Sequence, residues 1–136
     1  MISPASLTSA WSAAGVGRGD VVLLHAAAKR TLLKLRCADP RILLDTFLDA
    51  LGPGGTLLLP LFNFDFTWGA PFDIRTTPSQ MGALTEAARA HPRAVRTGHP
   101  IYSFAAIGAR APEFANVNNR SGYGADSPFA LLRAMN

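Results

Sequence analysis

Two carboxylates in the sequence have the chemistry to bind a cationic amine. Asp65 lies in an aromatic-rich stretch, 62–78, where rings would partly desolvate an ion pair and strengthen it. Glu86 falls on an expected helix, where the spacing also predicts a solvent-facing pair with Arg89 that contributes only about 0.2 to 0.5 kcal/mol. Asp65 therefore remains open between an amine site and a surface residue of a loop, whereas for Glu86 the spacing alone favours the surface pair.

The three histidines could supply a general base or bind a metal. His25, His91 and His99 lack the short intervals and the cysteine partners of a zinc site, so no metal is expected. His99 precedes Pro100 and has Ser103 nearby, but no Gly-x-Ser-x-Gly elbow accompanies them. We therefore interpret His99 mainly as a structural residue and only as a weak candidate for a general base.

The elements that must position these side chains begin with a strand, a helix and a second strand. The apolar runs 20–25 and 56–59 predict strands, and the stripe between them, from Asp39-Pro40 to Gly52, predicts an amphipathic helix. Such a unit within a parallel sheet nearly always crosses over right-handedly. His25 and residues 63–65 are then expected just beyond two neighbouring strand ends, where α/β proteins bind ligands.

The remaining pattern predicts three more helices and two more strands. Helices should begin at Ser3-Pro4, at Ser79 and at Ser127-Pro128, where a hydroxyl can cap the first turn. Short strands are expected at 94–97 and 103–107. The last helical pattern runs to the final residue without a stop signal, which favours a fold that is apparently truncated inside an element.

Composition favours one globular domain over residues 1–136. The chain is 49% hydrophobic and 16% charged, with one cysteine, Cys37, so no intramolecular disulfide is expected. The start lacks a secretory signal, and the apolar runs are far shorter than the roughly 20 residues that cross a bilayer. We expect a cytoplasmic protein that does not bind membranes.

The positive charge identifies no partner by itself. The formal net charge is +4, which would raise the local concentration of an anionic ligand. The basic residues cluster only at Lys29-Arg30, Lys34 and Arg36, without interleaved aromatic residues that could stack on bases. Nucleic acid is therefore not expected as a partner.

Five stretches of the sequence follow one another with consistent spacing: 19–25, 51–60, 77–86, 96–108 and 123–129. Together they resemble the aminoglycoside 3-N-acetyltransferase family, also called the antibiotic N-acetyltransferases. The resemblance covers nearly the whole chain and corresponds to the N-terminal half of the family fold.

The resemblance implies transfer of an acetyl group from acetyl coenzyme A to an amino group of an aminoglycoside or related amino sugar. It also implies a layered α/β/α fold around a central mixed, mostly parallel sheet. Asp65 and Glu86 match positions that face the amino sugar. Positions implied to bind the cofactor are His25, Ala26, Ala27, Arg96, Ser103 and Ser127.

Two features of the chain depart from an intact family member. Ala26-Ala27 stand where the family usually carries two serines, so hydroxyls that could bond the cofactor are missing. In the family the base is a histidine from the second half of the fold, which would lie beyond Asn136. An alternative interpretation is thus a catalytically inactive fragment or degenerate homologue that serves as a binding or scaffold domain.

Overall fold

A computed structural model describes residues 2–135 of the chain. Two short 3-10 helices, Asp65–Trp68 and Ala111–Phe114, lie in the connecting segments. In chain order the regular elements are α1 Pro4–Ala13, β1 Val21–Leu23, α2 Lys29–Leu35, α3 Pro40–Leu51, β2 Thr56–Pro60, α4 Ala83–Arg89, β3 Val95–Arg96, β4 Phe104–Gly108 and α5 Pro128–Ala134.

Three helices begin where a capping side chain precedes a proline, as predicted. The side chains of Ser3, Asp39 and Ser127 each accept a hydrogen bond from a backbone N–H of the first turn. Proline suits the position that follows because its missing N–H would have no helical partner there. The starts of α1, α3 and α5 are therefore encoded locally.

The strands form one mixed sheet in the order β1-β2-β4-β3. β1 and β2 are parallel, with Val21 opposite Thr56, which confirms the predicted crossover through α3. β4 runs antiparallel to both β2 and β3. The mixed sheet is confirmed, but among residues 2–135 two of its three strand pairings are antiparallel, so it is not mostly parallel here. The crossover rule applies only to the parallel pair β1 and β2. β3 and β4 follow each other in the chain and pair as an antiparallel hairpin.

Helices cover both faces of the sheet, which confirms the layered α/β/α arrangement. Alternate residues of β2 point to opposite faces: Leu57 and Leu59 join the core beneath α1, α3 and α4, whereas Leu58 joins Phe104 and Phe114 on the other face. Partly buried leucines of α5 pack against this second core. The sheet is therefore held between two apolar layers.

Three local features differ from the sequence-based expectation. β1 is only half-buried, although its continuous apolar run is typical of a strand that is buried on both faces, because it forms an edge of the sheet in the described part of the chain. Helix α2 was not predicted, since no side chain caps it. Helix α4 begins at Ala83 rather than at Ser79, because Gly82, with φ of 120° and ψ of −178°, precedes it outside the helical conformation.

Candidate functional site

Three strands have a terminus at the same end of the sheet, the one where the parallel strands β1 and β2 finish; below, this end is also called the edge of the sheet. β1 and β2 both end there, and β4 begins there because Pro60 pairs with Phe104 in antiparallel register. The ladder continues past β2: the Leu61 N–H donates to the Ser103 carbonyl at 2.8 Å, and the Asn63 N–H donates to the Ile101 carbonyl at 3.1 Å. The prediction that His25 and residues 63–65 follow strands at one edge is confirmed.

Two cavities beside this edge share part of their lining. The smaller, of about 360 Å³, is lined by His25, Ala26, Ala27, Pro60, Met81 and Thr85. The larger, of about 780 Å³, is lined by residues 26–29, 32–33, 36–38 and 81–84. Because Ala26, Ala27 and Met81 border both cavities, we treat them as one depression and call it the α2 groove.

The α2 groove combines an apolar lining with positive charge. Alanine, leucine and methionine side chains make most of its wall, and Lys29 and Arg36 are its charged residues. Within residues 2–135 no carboxylate borders either cavity. Such a surface suits a ligand with an apolar portion and an anionic portion.

Arg96 and Ser103 contact each other and tie the aromatic-rich loop 62–78 to the sheet. Arg96 Nε donates to Ser103 Oγ at 3.1 Å, and Nη1 donates to the Thr77 carbonyl. The guanidinium also lies over the Phe72 ring, 5.1 Å from its centroid. Burial lowers the pKa of Arg96, and the neighbouring Arg89 adds to this effect. Neither Arg96 nor Ser103 lines the α2 groove. The contacts of Arg96 with Thr77 and Phe72 hold the loop against the sheet.

Asp65 forms no ion pair with any of residues 2–135. Its Oδ1 accepts a hydrogen bond from Gln80 Nε2 at 2.9 Å, and its own N–H donates to Asn63 Oδ1 at 2.9 Å. The carboxylate borders a small cavity of about 130 Å³ that Phe66 and Phe72 also line. It therefore offers an exposed anion framed by aromatic rings.

Glu86 differs because its carboxylate is already paired. Arg89 Nη2 lies 2.8 Å from Glu86 Oε2, so the predicted ion pair is present. Glu86 is only half-exposed, however, and its Oε1 also accepts the Ser79 N–H at 2.6 Å. The hydrogen bond from Arg89 holds the pKa of Glu86 below its usual range. Of the two carboxylates, Asp65 is the one left free to attract an amine.

Neither His99 nor Ser127 lines the α2 groove, and both make structural contacts. His99 Nδ1 accepts the N–H groups of Ile101 at 3.1 Å and Tyr102 at 2.9 Å. The ring is buried, and this burial lowers its pKa. Ser127 is also buried, and its hydroxyl caps α5 by accepting the Ala130 N–H. These contacts favour the structural interpretation of His99 and give the same kind of role to Ser127.

Sequence reasoning missed several residues that border the site. Lys29 and Arg36 carry the positive charge of the α2 groove, and their signal was the only basic cluster in the sequence. Gln80 and Met81 form a short link between the groove and Asp65, since Met81 lines the groove while Gln80 bonds the carboxylate. No spacing pattern marks a single glutamine as functional.

The fold and the site define an α/β protein with a groove at the carboxyl ends of its parallel strands, where proteins of this class frequently bind ligands. The model of the family described as aminoglycoside 3-N-acetyltransferase matches residues 23–136. The chain therefore belongs to the aminoglycoside 3-N-acetyltransferase family, and the resemblance seen in the sequence is confirmed.

Individual relatives show the same likeness. Aminoglycoside N(3)-acetyltransferase VII of Streptomyces paromomycinus is 31% identical over 144 residues, which cover 91% of this chain and 49% of the relative. The structure of AAC-IIIb in a binary complex with CoASH superposes with a TM-score of 0.83 at 29% identity, covering 98% of this chain and 56% of that one. The sisomicin-bound AAC-VIa structure gives a TM-score of 0.78 at 29% identity, with 98% and 56% covered. The chain thus spans about half the length of the relatives it matches.

The described part of the chain holds neither a candidate membrane span nor a candidate metal cluster. Among residues 2–135, no helix combines the length and the apolar character needed to cross a bilayer. In the same part of the chain, no three His, Cys, Asp or Glu side chains are grouped closely enough to hold a metal ion.

Proposed function

We propose that this chain forms part of an enzyme that transfers an acetyl group from acetyl coenzyme A to an amino group of an aminoglycoside or related amino sugar. The observation that carries the proposal is the proximity of two complementary surfaces. The α2 groove is apolar and positively charged, and the loop beside it presents the unpaired Asp65 carboxylate. The segment that holds both Gln80 and Met81 connects them, so donor and acceptor would bind side by side.

The residues of the α2 groove fit coenzyme A. Its long uncharged arm matches the apolar lining, and its phosphates match Lys29 and Arg36, because anionic groups bind where fixed positive charge is available. His25, Ala26 and Ala27 would contact the cofactor at the end of β1. When bound, acetyl coenzyme A supplies the acetyl group.

Three further positions that the resemblance assigns to the cofactor would act less directly. Arg96 and Ser103 bond each other and hold loop 62–78 against the sheet, and Ser127 fixes the start of α5. Their contribution would be to shape the walls of the site. We keep Arg96, Ser103 and Ser127 as supporting residues of the cofactor site on this basis.

Asp65 would bind the amino sugar through its ammonium group, and Glu86 would support the same region. A charge-assisted hydrogen bond to an ammonium is roughly twice as strong as a neutral one. The amine must then lose a proton before it can attack the acetyl group. The resemblance to the family implies that the base is a histidine outside this chain, and His99 Nδ1 already accepts two backbone N–H groups.

Calorimetry with coenzyme A tests the donor site on this chain. We expect Lys29→Ala and Arg36→Ala each to weaken binding by about three- to tenfold at low salt, with smaller losses at high salt because screening reduces the phosphate attraction. Lys34→Ala is the matched control, since Lys34 is exposed on the same helix and does not line the groove. Equal losses for Lys34→Ala and Arg36→Ala would show that the groove is not the binding surface.

Acetyl transfer tests the acceptor site. The full-length protein that contains this chain should acetylate sisomicin in the presence of acetyl coenzyme A, while the 136-residue chain alone should show no turnover. Turnover by the isolated chain would contradict the expected position of the base.

A second candidate is an inactive homologue that keeps the sheet as a binding or scaffold domain. Ala26-Ala27 favour it, because these residues line the groove without the hydroxyls that the family usually supplies. This alternative predicts no coenzyme A binding even at millimolar concentration. Restoring the hydroxyls with Ala26→Ser and Ala27→Ser would then create binding that the natural chain lacks.

A further inference from the structure

Gln80 makes three hydrogen bonds to the segment that carries Asp65. Its side-chain Oε1 accepts the Phe64 N–H at 2.9 Å, and its Nε2 donates to Asp65 Oδ1 at 2.9 Å. Its backbone N–H donates to the Phe62 carbonyl at 2.8 Å. One amide side chain therefore fixes both the backbone before Asp65 and one oxygen of its carboxylate.

The same segment is braced a second time by Asn63. Asn63 is buried, its Nδ2 donates to the Pro78 carbonyl at 2.8 Å, and its Oδ1 accepts the Asp65 N–H. The amide side chains of Asn63 and Gln80 thus link residues 62–65 to residues 78–80 by hydrogen bonds. Because the frame is held independently of Gln80 Nε2, the bond from Nε2 to Asp65 can orient the carboxylate rather than only close the loop.

An amide at position 80 orients the carboxylate without cancelling its charge. A lysine or arginine there would also donate to Asp65, but it would form an ion pair and remove the net negative charge. Glu86 is an example of a carboxylate in such an ion pair, because Arg89 pairs with it. Asp65 Oδ1 is engaged by Gln80, whereas Oδ2 has no hydrogen-bond partner within residues 2–135.

We propose that Gln80 is a positioning residue that orients the Asp65 carboxylate, without forming an ion pair with it, to bind a primary ammonium group of the acceptor. The inference rests on the proposed function and adds a residue that determines which acceptors bind. Preorganised groups bind more tightly because they lose less conformational freedom on binding. Gln80 would thereby favour acceptors with an ammonium group over neutral sugars.

The test measures sisomicin affinity by calorimetry on the full-length protein saturated with coenzyme A. We expect Asp65→Asn to weaken binding by about tenfold or more, since a charge-assisted hydrogen bond is lost. Gln80→Leu should weaken it by about three- to fivefold, because the charge remains but is no longer oriented, and Gln80→Lys should match Asp65→Asn because it neutralises the carboxylate. Asp49→Asn, on the exposed face of α3, controls for loss of one negative charge elsewhere.

A double-mutant comparison separates positioning from general damage to the loop. If Gln80 acts through Asp65, Gln80→Leu should cause no further loss of affinity in the Asp65→Asn background. In steady-state acetylation it should raise KM for sisomicin while changing kcat little. The same loss in both backgrounds, or a fall in kcat with unchanged KM, would overturn the inference.

The outcomes also distinguish this inference from the proposed function. A wild-type protein that binds neither coenzyme A nor sisomicin would overturn both. A wild-type protein that binds both ligands, with unchanged affinity in Gln80→Leu and Gln80→Lys, would overturn only the role of Gln80. Thermal unfolding of each variant shows whether any loss of affinity follows from loss of folded protein.

Discussion

Phe62→Leu probes the aromatic cluster that joins β2 to the candidate site. Phe62 is 8% exposed. Its ring makes edge contacts with Tyr102 at 5.1 Å and Phe104 at 5.3 Å between centroids, with interplanar angles of 85° and 87°. A third edge contact, at 6.4 Å, reaches His25 beside the α2 groove. The substitution keeps an apolar side chain but removes every ring contact of Phe62.

The expected loss of stability follows from the two contacts made with the cluster. Each aromatic pair contributes about 0.5 to 1.5 kcal/mol beyond the area it buries, and the exposed His25 adds little. Leucine retains most of the buried apolar area, so the free energy of unfolding should fall by about 2 kcal/mol. For a chain of this size the melting temperature should fall by about 7 °C.

Urea unfolding of single and double variants provides the assay. Phe114→Leu is the matched control, because Phe114 is fully buried and makes no ring contact with the other aromatic residues of 2–135. A cycle of Phe62→Leu with Tyr102→Leu should give a coupling energy of about 1 kcal/mol, whereas Phe114→Leu with Tyr102→Leu should be additive. Equal, additive losses in both cycles would refute the assigned role of the ring contacts.

Three more outcomes can be checked with the same methods. Gly108→Ala should destabilise the protein by about 2 kcal/mol or more in urea, since φ is 130° and a Cβ would clash with the Gly55 carbonyl oxygen of the neighbouring segment; unchanged stability would contradict this packing. Ser3→Ala should cost about 1 kcal/mol by removing the capping box of α1, and unchanged helix content and melting temperature would show that α1 is fixed by packing alone. Because hydrogen bonding lowers the pKa of folded Glu86, Glu86 stabilises the protein above the unfolded pKa, and this stabilisation is lost as pH falls through the folded pKa. Solvent screening limits it to about 0.5 kcal/mol, since the Glu86 side chain is 36% exposed. Wild type and Glu86→Gln should therefore differ in unfolding free energy at neutral pH and converge as pH falls through the folded pKa of Glu86, and a constant difference would count against the pairing with Arg89 and Ser79.

The parts of the fold that the sequence predicted are those encoded by local signals. Asp39-Pro40 and Gly52 mark the ends of α3 on a strongly amphipathic stripe, and the strands on either side follow the crossover rule. The pairing of β4 could not be predicted in this way, because the long segment between Pro60 and Phe104 can return to the sheet in either direction. Its antiparallel register depends on tertiary packing of Leu57 and Ile107 in the core.

The candidate site was predictable only where it follows strand ends. His25 and Asp65 could be placed at one edge from the order of the elements. The importance of Gln80 could not, because it depends on a side chain that reaches residues 64 and 65 from a different segment. Helix α2 was missed for a related reason: it lacks a capping side chain and is held by Leu32 and Leu35 packing toward the core.

The short segment with Gln80 and Met81 serves two surfaces at once. Met81 forms part of the wall of the α2 groove, and the adjoining Gln80 bonds the Asp65 carboxylate. A substitution that shifts this backbone to enlarge one surface must also displace the other. Evolution toward a new acceptor would then favour changes in the outer loop, at exposed positions such as Phe66 and Trp68, over changes in the shared segment.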